Sequence, residues 1–255
     1  MADDIKSQYD VNVIPITKNL FNPEGAEEIY NDIKRRGFEV NVLVNNAGQG
    51  EYGKFTTYDV ARDMDIVQLN ILSLVFLTKF FLRDMISRNE GRILQVASLF
   101  AKYPSPFMAT YGGTKAFVLS FTESLIDELK DTGITVSVLM PGAADTDFFH
   151  KAGAENTVTY REESLYDPKD VAKTAYKGLM KGERKIIPGL KNKIQSAISN
   201  VLPDEKLASS IHGQMSPSHK SKGRQDIKHP ASKEERARIK DATGSKKGDY
   251  ESYQQ

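Results

Sequence analysis

A chain of 255 residues with 39% hydrophobic and 27% charged residues has ordinary globular usage and enough length for one substantial core, which excludes fibrous and membrane-type compositions. The absence of cysteine excludes a disulfide framework, a thiol nucleophile and a cysteine-ligated metal centre, and agrees with a reducing compartment, the cytoplasm by default. The formal net charge of +1 divides into a mildly acidic body and a mildly basic last forty residues, too weak a bias to make nucleic acid an expected partner.

Met1 to Lys6 carries acidic residues where a secretory signal needs a basic start, so no export signal is expected. Residues 1–10 read as the end of a helix, and Val11 to Ile16, a β-branched run, is predicted to be a strand with an exit loop over Asn19 to Pro23. Pro23 suits a first helical turn, and Ala26, Ile29, Tyr30 and Ile33 recur at helical spacing until Gly37. Val40 to Val44 is predicted to be a buried strand that delivers Asn45-Asn46-Ala47-Gly48 at its C-terminal end. One long helix or two successive ones are expected over Thr57 to Met85. The most apolar stretch there, Ile71 to Leu82, is too short to span a bilayer and is interrupted by Lys79, so no membrane span is expected. Arg92 to Ala97 is predicted to be a strand ending at Ser98, Tyr111 to Asp131 a helix stopped at Gly133, and Ile134 to Met140 a strand opening into Pro141-Gly142. Helices around Pro168 to Leu179 and Leu190 to Leu202 close the domain, set at residues 1–215. From Ser216 onward the sequence lacks apolar periodicity, and a disordered basic tail is expected, with a short helix possible over 233–239.

Strands alternating with helices indicate right-handed βαβ units and a parallel sheet covered on both faces, with ligands beyond the C-terminal ends of the strands. The segments Asn45 to Gly48, Ser98 and Pro141 to Thr146 each follow a predicted strand, so they are expected along one edge of the sheet.

Tyr111 and Lys115 stand four apart on a predicted helix and share one face. An ammonium beside a phenol favours the phenolate and lowers its pKa, which makes a proton donor and acceptor usable near neutrality. Ser98, at a strand end, can hydrogen-bond a carbonyl and hold it against that phenol. A Tyr-x-x-x-Lys spacing alone more often marks a solvated helix face. Here it follows Asn45-Asn46-Ala47-Gly48, Asn70 and Ser98 in order, and precedes Pro141-Gly142 and Thr146. The four histidines are scattered and suggest no metal site; Phe148 and Phe149 belong either to a substrate lid or to the core.

This combination resembles the short-chain dehydrogenase/reductase family, and the resemblance covers roughly residues 1–190. It implies a Rossmann-type doubly wound fold and hydride transfer between NAD or NADP and an alcohol or carbonyl. Tyr111 would be the general acid/base, Ser98 would polarise the carbonyl, Lys115 would bind the nicotinamide ribose, and Asn70 would hold a proton-relaying water. Cofactor contacts would come from Asn45, Asn46, Ala47 and Gly48, from Pro141, Gly142 and Thr146, and from Asn19, which stands where the family commonly has an aspartate near the adenine. The resemblance also implies a homo-oligomer built on the helices containing Asn70 and Tyr111. Apolar residues such as Phe100, Phe107, Met108, Phe148 and Phe149 favour a hydrophobic carbonyl substrate. No glycine-rich turn precedes Val11, so the family's first βαβ unit is expected to be missing, which makes a truncated or non-catalytic binding relative the alternative reading.

Overall fold

The computed structural model describes residues 2–218. Helix α1 (Ala2–Gln8) leads into an extended segment, then α2 (Glu24–Arg35) and strand β1 (Val42–Asn45). Helix α3 (Val60–Val67), a π-helical turn (Gln68–Leu72) and α4 (Ser73–Arg88) run on without a break to β2 (Gly91–Val96). Helix α5 (Ala109–Glu128) and β3 (Ile134–Leu139) follow. The chain continues through α6 (Phe148–Ala152), α7 (Val158–Glu162), α8 (Pro168–Lys181), β4 (Lys185–Ile186), α9 (Leu190–Ile198) and α10 (Asp204–Met215).

Local chemistry sets many of these boundaries. Asp59 caps α3 by accepting from Ala61 N, and Asp167 caps α8 by accepting from Lys169 N, with Pro168 at the first helical position. Gly182, at φ 69°, ends α8 in the left-handed conformation that a side chain would strain.

The four strands are parallel and ordered β1-β2-β3-β4. Alternate residues of β2 point to opposite faces: Ile93 packs with Leu82, Met85, Leu129 and Val136, whereas Leu94 packs with Leu139, Ala175, Leu179 and Ile186. Helices α4 and α5 therefore cover one face and α8 the other, the doubly wound α/β arrangement expected. Val60–Arg88 is long and apolar enough by composition to cross a membrane. Its buried residues, among them Ile66, Leu74, Phe81 and Met85, mark it as a core helix of this fold.

The expected strand at Val11 to Ile16 does not form. Those residues pair with no strand among the described residues, and Val11 and Ile14 are exposed. β-Branched composition fits a pleated surface but does not supply one; without an adjacent ladder the segment stays a connector. Val42 and Val44 on the outer strand β1 are likewise exposed. At the other end, Val158 N donates to Ser216 O and Ser218 N to Asn156 O, so residues 216–218 lie alongside α7. The predicted tail beyond Ser218, with its short helix, lies outside the described residues.

Candidate active site

Strands β1, β2 and β3 end on the same side of the sheet and open into a cavity of about 1020 Å³. Ser98 leaves β2 in an extended conformation, and its Oγ accepts from Phe100 N at 3.2 Å, starting a short 3-10 turn. The neighbouring amides are tied to the exit of β3, Ala97 N to Leu139 O at 2.9 Å and Leu99 N to Pro141 O at 3.0 Å. Two of the sequence-predicted loops are thus held together by backbone.

Tyr111 sits in the first turn of α5, side by side with Phe148 (ring centroids 4.9 Å apart) and edge-on to Phe100. Ser98 and Tyr111 both line this cavity. One turn on, Lys115 is buried and its Nζ donates to Val96 O at 2.8 Å, 5.7 Å from the Tyr111 ring centroid. The sequence argument expected Lys115 to lower the Tyr111 pKa. In this structure burial dominates: it pushes Tyr111 up to about 12, with the Ser98 side chain opposing it, and pushes Lys115 down to about 8.

Asn70 lies in the π-helical turn, where the regular backbone ladder is interrupted. Its side chain bonds Gln49 twice, accepting from Gln49 N at 3.0 Å and donating to Gln49 O at 2.9 Å, and also donates to Thr114 Oγ1 at 2.9 Å. It therefore clamps the loop after Gly48 to α5. Arg62 holds the same loop from outside, through Glu51 Oε2 (3.0 Å), Gln49 Oε1 (2.8 Å) and Gly50 O (3.3 Å). Sequence reasoning missed Arg62, because a lone arginine in a helix carries no positional signal.

The predicted residues divide into groups. Asn46, Gly48, Ser98, Tyr111, Lys115, Pro141, Gly142 and Thr146 line the cavity. A Cβ on Gly48 would stand 3.1 Å from Lys115 Nζ, and one on Gly142 would stand 2.5 Å from Asn192 Oδ1, so both glycines permit close approach. Asn45 does not line the cavity: its side chain donates to Thr78 on α4 and to Gln95 on β2. Ala47 is exposed outside the cavity, and Asn19 forms a local turn by accepting from Phe21 N. Phe148 lines the cavity and packs against the core, and Phe149 lines it too and is buried in that core. Helix α10 was also missed. It contributes Gln214 and Met215 to the lining, and its Leu207, Ile211, Met215 periodicity was the available signal. Phe107, at φ 63°, is a bulky residue in left-handed backbone; its carbonyl accepts from Gly53 N, and the turn leads Met108 into the cavity.

Burial of an ammonium with one carbonyl partner, beside two glycine-lined approaches, suits the ribose and nicotinamide half of a dinucleotide. A pyrophosphate cradle is another matter. Gly48-Gln49-Gly50-Glu51-Tyr52-Gly53 has the spacing of a dinucleotide fingerprint, but it opens no helix. Three of its amides are already committed, Gln49 N to Asn70, Tyr52 N to Ala152 O and Gly53 N to Phe107 O. Among the described residues no other glycine-rich turn starts a helix after a strand.

A parallel α/β sheet with a Ser-Tyr-Lys cluster at its carboxyl edge defines a nucleotide-dependent oxidoreductase architecture. The short chain dehydrogenase family model matches residues 1–157, and the chain belongs to that family. It is similar to the uncharacterized oxidoreductase YvaG of Bacillus subtilis, with 35% identity over 57% of this chain and 54% of that protein. It is also similar to the 3-oxoacyl-(acyl-carrier-protein) reductase FabG of Vibrio cholerae, with 32% identity over 60% of this chain and 65% of the relative. The chain thus spans about half to two thirds of the length of these relatives. A structure described for 7β-hydroxysteroid dehydrogenase stereoselectivity superposes with a TM-score of 0.71 at 20% identity, covering 82% of this chain and 80% of that one. A short-chain dehydrogenase from Sphingobium yanoikuyae in complex with NADPH gives a TM-score of 0.69 at 23% identity, covering 88% and 83%. These likenesses extend the fold assignment across most of the described chain. Members of the family are oxidoreductases that use NAD or NADP.

Proposed function

We propose that this site interconverts an alcohol and a carbonyl with Tyr111 as general acid/base. The observation that carries the reading is Ser98 and Tyr111 together in the cavity wall, with a buried Lys115 one helical turn from the phenol. In reduction Tyr111 gives its proton to the carbonyl oxygen, and the Ser98 hydroxyl hydrogen-bonds the same oxygen as charge develops on it. Lys115 binds the ribose hydroxyls and, as a cation, favours the tyrosinate left after transfer. Asn46 and Gly48 on one side, and Pro141, Gly142 and Thr146 on the other, would hold the nicotinamide end; NADH or NADPH would supply the hydride in reduction, and NAD or NADP would accept it in oxidation. Asn70 keeps the Gln49 wall in place, and its interrupted helical turn is where a proton relay to solvent would start. The remaining lining, with Phe100, Met108, Phe148 and Met215, suits an apolar small-molecule carbonyl.

The cysteine-free composition agrees with work in a reducing cytoplasm. We also propose a homo-oligomer through the helices that carry Asn70 and Tyr111, where Leu72, Phe76 and Phe117 are exposed. The test of function is titration of the full chain with NADPH and NADH by nicotinamide fluorescence, followed by turnover of a panel of apolar ketones. Saturable binding weakened by Lys115→Ala, with turnover abolished by Tyr111→Phe, is expected. Absence of binding by the folded chain would leave the alternative, a relative that binds partners without catalysis.

A further inference from the structure

Helix α9 is built inside out for a protein in water. Leu190, Ile194 and Ile198 recur at i, i+4 and i+8, and Val201 continues them in the following turn. Together they occupy one stripe of roughly 80° around the axis. This stripe faces outward: Leu190 is 73% exposed, Ile194 52%, Ile198 45% and Val201 80%. The opposite, polar face is the one buried. Asn192 and Ser196 are 4% and 6% exposed; Asn192 donates to Pro188 O and fills the space over Gly142, and Gln195 donates to Tyr103 Oη. An amphipathic helix on a soluble domain normally buries the apolar stripe. Single exposed hydrophobes are common, but a contiguous stripe of four is a surface awaiting cover.

The charges identify the cover. Lys191 and Lys193 flank the stripe on its two sides, and no acidic residue occurs between Glu183 and Asp204. Lys191 pairs with Glu163 at 3.0 Å, and Lys193, exposed on the other side, keeps the face net positive, so two copies meeting through it would bring like charge together. An anionic lipid surface answers both features, taking the isoleucines below the headgroups while the lysines reach phosphate. We infer that α9 docks the protein in plane on the surface of an anionic membrane. The docking rests on no reading of the catalytic cluster. The inner face of the same helix lines the cavity through Asn192 and Gln195, so the bilayer lies one helix away from it.

The test is co-flotation of the full chain with vesicles of phosphatidylcholine alone and of phosphatidylcholine mixed with phosphatidylglycerol, beside sedimentation velocity without lipid. Flotation with the anionic vesicles is expected, weakened by salt and by Lys193→Glu. Each of Ile194→Glu and Ile198→Glu should lower partitioning by roughly tenfold or more, from the apolar area lost. Ile194→Gln, which adds no charge, should lower it in the same direction. Flotation equal between wild type and the isoleucine variants would overturn the inference, as would no flotation at all. A lipid-free dimer dissolved by Ile194→Glu would assign the stripe to a second copy instead. Cofactor titration reads the active site separately, so either proposal can fail alone.

Discussion

Lys115→Met should make the protein more stable at neutral pH while removing its activity. The ordinary lysine pKa of 10.5 falls to about 8 at this buried site, a displacement equivalent to about 3 kcal/mol against the charged form. Methionine has similar length and no charge to desolvate, but it gives up the hydrogen bond to Val96 O, worth roughly 1 kcal/mol. The net gain is therefore about 2 kcal/mol at about pH 7, or roughly 4 to 8 °C in Tm for a domain of this size.

The sign with pH distinguishes desolvation from packing. Between about pH 8 and 10.5 the folded state releases the Lys115 proton while the unfolded state keeps it, so wild-type stability rises through that window. The advantage of Lys115→Met should shrink accordingly and vanish above it. Tyr111, raised to about 12, adds the opposite trend above pH 10, present in both proteins and cancelling in the difference. Urea unfolding of the two proteins at a series of pH values measures this. A variant less stable than wild type at neutral pH, or an advantage that does not change with pH, would refute the claim that Lys115 is held at a cost in stability for chemistry.

Other substitutions separate support from chemistry. Gly142→Ala should weaken nicotinamide-cofactor binding and destabilise by about 1–3 kcal/mol, because its Cβ meets the buried Asn192 amide, and Asn192→Ala should relieve it in a double-mutant cycle. Arg62→Met should cost about 1–3 kcal/mol in thermal unfolding, since it releases Gln49, Gly50 O and Glu51 together; cofactor affinity should fall with it, and Arg62→Lys should rescue only in part. Gly133→Ala, whose Cβ would overlap the Asn89 backbone carbonyl, should lower stability by a similar amount yet leave cofactor affinity of the folded fraction unchanged.

Most of the candidate cluster was legible because its residues sit at strand ends and on one helical turn, where spacing fixes direction. Ser98, Tyr111 and Lys115 converge for that reason, and Gly48 and Gly142 stand where side chains would collide. Asn45, expected toward the cofactor, follows the rule that adjacent residues at a strand end point to opposite sides, and its side chain turns into the Thr78–Gln95 network. Arg62, the buried face of α10 and the outward face of α9 were not legible, although the periodicity of α10 was. The first acts through a loop distant in sequence. The other two depend on which face of a helix the rest of the chain covers, and periodicity gives the stripe but not its direction.

Strand Val11 to Ile16 shows the same limit from the side of pairing, and it yields an exchange experiment. A parallel strand is held by the ladder on its neighbour, so a β-branched run without one has backbone amides open to water. Among the described residues no backbone hydrogen bond runs from Val11, Asn12, Val13, Ile14, Ile16 or Thr17, whereas β2 is bonded on both sides, to β1 and to β3. Amide exchange should therefore be fast over Val11 to Thr17 and slowest in Ile93 to Gln95, with α5 close behind because Val118 and Thr122 are fully buried. Protection over Val11 to Ile16 approaching that of β2 would mean that the segment finds a ladder partner in solution, and that the exposed edge at Val42 to Asn45 is covered there. Unprotected amides would mean that the Ser98–Tyr111–Lys115 cluster is carried by β1, β2, β3 and α5 without it, because every hydrogen bond that fixes those three residues comes from those elements or the loops between them.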